Sequence, residues 1–168
     1  EILRCLVGSE MCIRDRNCPG GGRKEHTLRT IPEVENSYPE NKIFGANLPA
    51  YGFFIRHVRH LTLEDIQVNL DNKDDRHALY LDDCRDITID KVKTISHLSE
   101  SAYIRTNNVE NLMIRGFSTE NALPSFLENS GKSSGIKLIG NDFSKVSQLY
   151  NEEIGQEVKE AGNLFENK

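Results

Sequence analysis

Apolar positions recur through the middle of the chain with constant internal spacing. Phe53, Ile55, Val58, Leu61, Leu63 and Ile66 form one pattern, and Leu79, Leu81, Cys84, Ile87, Ile89 and Val92 repeat it 26 residues later. Ile104, Val109, Leu112, Ile114 and Phe117 follow 25 residues on, with Thr106 breaking one position, and Ile136 and Leu138 follow after 24 more. Copies at one period predict stacked coils, each burying its apolar side against its neighbours. Within a copy, Leu61-Thr62-Leu63, Ile87-Thr88-Ile89, Leu112-Met113-Ile114 and Ile136-Lys137-Leu138 alternate as half-buried strands do. The pairs Arg59-His60, Arg85-Asp86, Glu110-Asn111 and Ser134-Gly135 punctuate them as turns. No copy holds a helical stripe of about ten residues, so each coil is several short strands joined by turns. The fold predicted is all-β, a parallel β-helix. Asn141 aligns with Ile66 and Phe143 with Val68. Asn141 reads either as an inward Asn satisfying turn backbone or as a lone polar break.

The flanks lack this pattern. Residues 17–50 hold Gly20–Gly22, four of the five prolines and little periodicity, which predicts a loop-rich segment lying over the coils. The coils are expected over 51–148. Residues 149–168 carry Glu152, Glu153, Glu157, Glu160 and Glu166, as a short capping helix or a frayed acidic tail would. Leu6–Asp15 is what one reading frame of a transposase-type sequencing adaptor encodes, and Glu1–Cys5 and Arg16 fit the same frame as flanking adaptor and barcode. The segment is expected to be adaptor-derived rather than native, with the natural protein extending further upstream.

Setting that segment aside leaves the charge unchanged, because Glu1, Glu10 and Asp15 offset Arg4, Arg14 and Arg16. The net charge of −5 comes with no basic block, which argues against a nucleic-acid partner. No apolar run approaches the roughly 20 residues that span a bilayer. Cys5 and Cys12 go with the adaptor; Cys18 and Cys84 remain, far apart, and neither require nor exclude a disulfide.

Several motifs together resemble the C-terminal half of bacterial members of glycoside hydrolase family 28, the polygalacturonase-like family. They are Pro19-Gly20-Gly21-Gly22, Ile31-Pro32-Glu33, Tyr38-Pro39-Glu40, Phe44-Gly45, Leu48-Pro49-Ala50-Tyr51-Gly52-Phe53, Arg56-His57-Val58, Arg76-x-Ala78 and Leu81-Asp82-Asp83. Arg23 stands where that family's Gly-rich turn would carry Thr. The likeness covers residues 17–145. It implies a right-handed parallel β-helix of the pectin lyase-like kind, here its C-terminal coils only, and a secreted or periplasmic bacterial protein. It also implies inverting hydrolysis of galacturonide linkages in pectic polysaccharide or oligogalacturonide. Inverting glycosidases place two carboxyl groups roughly 6.5–9.5 Å apart, one as acid and one activating water. The family's Asn-Thr-Asp, Asp-Asp, Gly-His-Gly and Arg-Ile-Lys elements do not occur here as an ordered set. No catalytic residue is therefore assigned, and the native N-terminal coils of the same protein are expected to carry the chemistry. A polysaccharide lyase or a non-catalytic carbohydrate-binding adhesin on the same fold remains open, since fold alone does not set function.

The candidate residues are judged individually. Asp82-Asp83 follows a core strand with no Gly-His-Gly after it, which predicts a solvated strand end and turn. His57 and His60 lie three apart, on opposite faces of a strand, so they do not share a metal; His57 is a turn or cleft-edge residue. Arg56 falls on the outward face, where a guanidinium could grip a uronate carboxylate bidentately or serve as a plain surface charge. Tyr51 is a candidate for sugar stacking and Arg76 for carboxylate contact. Gly131-Lys132-Ser133 lacks the first glycine of a phosphate loop, with Phe126 in its place. Residues 71–75 lack the spacing of a calcium loop. Neither cofactor nor metal is expected.

Overall fold

The structure is a computed structural model of the 168-residue chain, describing residues 16–27, 31–32, 48–151, 154 and 158–166. The adaptor reading of 1–16 lies outside the described residues except for Arg16, which opens the first strand. That strand, β1 (Arg16–Cys18), is followed by a single helical turn, α1 (Lys24–Thr27). Then come β2 (Ala50–Arg56), β3 (Arg59–Leu70), β4 (His77–Asp82), β5 (Arg85–Thr94), β6 (Ala102–Asn107) and β7 (Glu110–Arg115). The chain continues through β8 (Ser118–Thr119), β9 (Leu123–Asn129), β10 (Ile136–Ile139), β11 (Asp142–Phe143), β12 (Val146–Tyr150), β13 (Val158–Ala161) and β14 (Leu164–Phe165).

Every strand pairing is parallel, and partners are a coil apart rather than consecutive. One sheet runs β2-β4-β6-β9-β12 and another β1-β3-β5-β7-β10-β13, with β8 against β5 and β11 against β14. The result is a parallel β-solenoid of about four turns. The repeat in the sequence is the strand register. Phe53 pairs with Leu79, Leu79 with Ile104 and Ile104 with Leu127. Leu63 pairs with Ile89, Ile89 with Ile114 and Ile114 with Leu138.

The corners explain why strands this apolar stay short. Three columns of residues take positive φ: His57, Asp83 and Asn108; His60, Asp86, Asn111 and Gly135; and Asp65, Lys91, Gly116, Gly140 and Gly162. Most are Asn, Asp or Gly, the residues that reach the left-handed region at least cost. The second column is the second member of each turn pair in the sequence pattern. A left-handed residue at the same place in each coil turns the chain inward there, dividing the coil into flat faces.

The interior is dry. Leu79, Leu81, Ile87, Ile89, Ile104, Leu112 and Ile114 are at most 1% exposed. Tyr103, Phe117, Phe126, Phe143 and Phe165 form an aromatic column with ring centroids 4.7 to 6.5 Å apart. Two polar intrusions are satisfied. Asn141 is 1% exposed; it accepts from the Phe117 N–H at 3.0 Å and donates to the Ile114 carbonyl at 3.1 Å. Asn163, one coil on, accepts from the Asn141 N–H at 3.0 Å and donates to the Leu138 carbonyl at 3.0 Å. Of the two readings of Asn141, the turn-satisfying one is what forms. Thr106, the break in the third copy, is fully buried with its hydroxyl 3.0 Å from Asn129 Oδ1.

The tail departs from expectation. Its described residues build no capping helix of ordinary length: β13 continues the ladder of β10 and β14 that of β11, with Ile154 buried between. Glu160 falls on an exposed position of β13 while Val158 stacks on Ile136, so the ladder continues despite the charge. Upstream, the described parts of 17–50 lie against the coils. The Gly21 N–H donates to the Lys73 carbonyl at 2.9 Å and the Asp71 N–H to the Cys18 carbonyl at 2.9 Å. Cys84 is a free thiol.

Candidate functional site

The site is built on β2, β4, β6 and β9, on the side opposite the core. Alternation on these strands sends Phe53, Leu79, Ile104 and Leu127 inward, so Phe54, Tyr80, Arg105 and Glu128 form a register row on the other side. The Phe54 and Tyr80 rings are 5.4 Å apart. The Arg56 guanidinium lies 5.2 Å from the centroid of Phe54, and that of Arg105 lies 5.2 Å from the centroid of Tyr80. These are cation–π distances. Arg105 also reaches Glu128 at 3.8 Å and donates to the Thr27 carbonyl at 2.9 Å. Burial, then the Asp82 charge, push the Tyr80 phenol above its ordinary value, so its hydroxyl stays neutral.

A second row pairs Arg56 with Asp82 and Asp82 with Asn107. Arg56 Nε donates to Asp82 Oδ2 at 2.6 Å, Arg56 Nη1 to the Ile31 carbonyl at 3.0 Å, and Asn107 Nδ2 to Asp82 Oδ1 at 2.7 Å. The guanidinium is outward as the alternation predicts, but it is held in place by an internal carboxylate. Asp82 is 7% exposed rather than solvated. Asp83, next to it, turns the corner with φ of 49° and meets His57 Nδ1 at 2.6 Å. The two carboxylates serve different partners and do not face a common cleft as an acid and base would.

His57 stands at the coil corner, as expected of a turn residue, with φ of 56°. With Arg59, Asp83, Cys84, Arg85, Asn108 and Glu110 it lines an open groove of about 100 Å³. Burial raises the Cys84 thiol above its ordinary value, which removes it as a nucleophile.

Tyr51 requires a correction. It is 7% exposed, with its hydroxyl 3.2 Å from that of Ser96. A register irregularity between Ala50 and Phe53 breaks strict alternation in β2 and lets Tyr51 join the core, where no sugar can stack on it. Arg76 also differs from expectation. Its Nε and Nη2 bind Asp74 Oδ1 and Oδ2 at 3.0 and 2.8 Å, so the carboxylate it contacts is the chain's own. The Asp74 side chain is fully buried and takes a third bond from the Gly22 N–H at 2.9 Å. Burial alone would raise this carboxyl; hydrogen bonds from Arg76 and Gly22 outweigh it and hold it below the usual value. A Cβ on Gly22 would collide with Arg76 and Asp74, so the glycine-rich turn clamps this buried pair.

Phe54 in its aromatic role, Tyr80, Arg105, Asn107 and Asn108 do not stand out in the sequence, and Arg59 and Arg85 stand out there only as turn residues. The signal was present. The offset of 26 that stacks Phe53 on Leu79 also stacks Arg56 on Asp82 and His57 on Asp83.

Among the described residues no three His, Cys, Asp or Glu side chains are grouped to hold a metal ion, and no helix is long and apolar enough to cross a membrane. Comparison with protein families, curated proteins and solved structures found no match to this chain.

Proposed function

We propose that this chain is the C-terminal coil region of a pectin-degrading, polygalacturonase-like glycoside hydrolase. In that reading it contributes structural coils and one wall of the polysaccharide-binding side, and catalysis belongs to coils that precede it. Residues 1–16 are adaptor-encoded in the same reading, and the protein works outside the cell or in a bacterial periplasm. The observation that carries the proposal is the outward row Phe54, Tyr80 and Arg105 beside Arg56, Asp82 and Asn107. Neighbours within each row lie one strand spacing apart, about 4.8 Å, and offer repeated aromatic and guanidinium contacts to a repeating acidic sugar. The family motifs quoted above supply the identity of that sugar. A non-catalytic role for these coils is supported by Asp82 and Asp83, which are paired to Arg56 and His57.

The test is affinity electrophoresis of the purified chain in gels containing polygalacturonate, with a reducing-end assay alongside. Retardation that Arg105→Gln weakens roughly tenfold, with no release of reducing ends, is expected. Unretarded migration would sink the binding role, and metal-independent release of reducing ends would sink the non-catalytic one. A rise in ultraviolet absorbance from an unsaturated uronide would instead identify a lyase.

A further inference from the structure

We propose that the corner groove between β2–β3 and β6–β7 is a binding site for a single uronate residue, with Arg59 as the guanidinium that receives its carboxylate. The inference deepens the polysaccharide reading above and rests on it for the choice of sugar; its location and chemistry rest on the groove alone.

The argument is one of unpaired charge in a concave place. Arg59 is the register partner of Arg85, and Arg85 of Glu110. Two guanidiniums one strand apart repel each other. Arg85 is relieved by Glu110, with Nε 2.8 Å from the carboxylate. Arg59 is exposed and has no acid partner among the described residues. The neighbouring column closes on itself: His57 and Asp83 are 2.6 Å apart, and Asn108 Oδ1 accepts from the Lys132 N–H at 3.0 Å. The groove therefore has one unsatisfied cation on its rim and already satisfied, fixed polar groups along its floor.

These features define the ligand. A carboxylate fits the planar fork of Arg59. Sugar hydroxyls, which both donate and accept, fit the remaining lone pairs of Asp83 and Glu110 and the amide of Asn108. A multiply charged anion such as phosphate fits poorly, because the same two carboxylates repel it. A left-handed corner in every coil fixes the backbone, so the site forms without ordering a loop.

The test is a ¹⁵N-resolved NMR titration of the full chain with trigalacturonate, its methyl ester and inorganic phosphate. Saturable shifts at the amides of Asp83, Asn108 and Glu110 are expected with trigalacturonate. Binding should be at least tenfold weaker for the ester, with no saturation by phosphate. Arg59→Gln should weaken trigalacturonate binding at least tenfold while leaving the melting temperature unchanged, since the side chain is exposed. Lys137→Gln, on the exposed side of β10 away from the groove, should leave it within twofold. Equal binding of acid and ester, insensitivity to Arg59→Gln, or no saturation at groove amides would each overturn the inference. Shifts confined to Tyr80 and Arg105 would do so too, while sparing the wider reading.

Discussion

Strand β4 carries two kinds of order on its two sides. Inward, Leu79 is fully buried between Phe53 and Ile104, and Leu81 between Ile55 and the buried Thr106. Outward, Tyr80 and Asp82 meet a different residue in each coil: Phe54 then Arg105 for one, Arg56 then Asn107 for the other. The inner columns repeat because every coil must bury the same kind of surface. The outer columns vary because a parallel ladder penalises like charge over like charge, so opposite or neutral groups must alternate along them. Stability is thus spread along the inside, while recognition can concentrate where the outer alternation fails, as it does at Arg59 over Arg85.

This contrast can be broken at several strengths. Phe126 touches Tyr103, Phe117 and Phe143 in the aromatic column and is fully buried. Phe126→Ala should cost about 3–5 kcal/mol by chemical denaturation. An effect under about 1 kcal/mol would mean the column is not the continuous core described. Asp74→Asn should cost about 3 kcal/mol, because it leaves Arg76 buried without its partner. The same site gives a pH signature. The folded carboxyl sits below its ordinary value near 3.8, so its stabilisation is fully present above about pH 4 and lost as pH falls through the folded value. A wild-type melting curve that declines below pH 4, with a shallower decline in Asp74→Asn, checks the sign.

Weaker changes sharpen the comparison. Asn141→Ala removes a donor and an acceptor from buried turn backbone and should cost about 2 kcal/mol. A neutral result would assign the Asn ladder no structural role. At the opposite sign, Lys91 occupies a left-handed corner whose equivalents in later coils are Gly116, Gly140 and Gly162. Its exposed ion pair with Glu64 is worth little. Lys91→Gly should therefore be neutral to stabilising by up to about 1 kcal/mol in thermal melts, whereas glycine inside a strand destabilises.

Much of this was legible beforehand, and unevenly so. The coil register could be read because apolar spacing of 26, 25 and 24 residues leaves only one way to stack Leu on Leu. Turn corners were visible as polar pairs, and the structure adds that the second member is left-handed. Tyr51 was misplaced because strict alternation fails at the β2 irregularity, whose local mark is Gly52, where a Cβ would meet the Ala78 carbonyl. In the tail, exposed acidic residues such as Glu160 and Glu166 look like a cap, although Val158 continues an inner column. Arg56 reads as outward and Arg76 as a carboxylate contact from the sequence, but their partners, Asp82 and Asp74 of the chain itself, follow only from side-chain geometry.

The sequence by itself determined the repeat, the strand periodicity and therefore the parallel stacking, since hydrophobic burial at a fixed period has few solutions. Only the tertiary structure decided which charges are used up and which remain. That outcome depends on distances of a few ångströms between residues a whole coil apart. It is why Arg56, prominent in the sequence, is satisfied internally, and why Arg59, visible there only as a turn residue, is left facing an open groove.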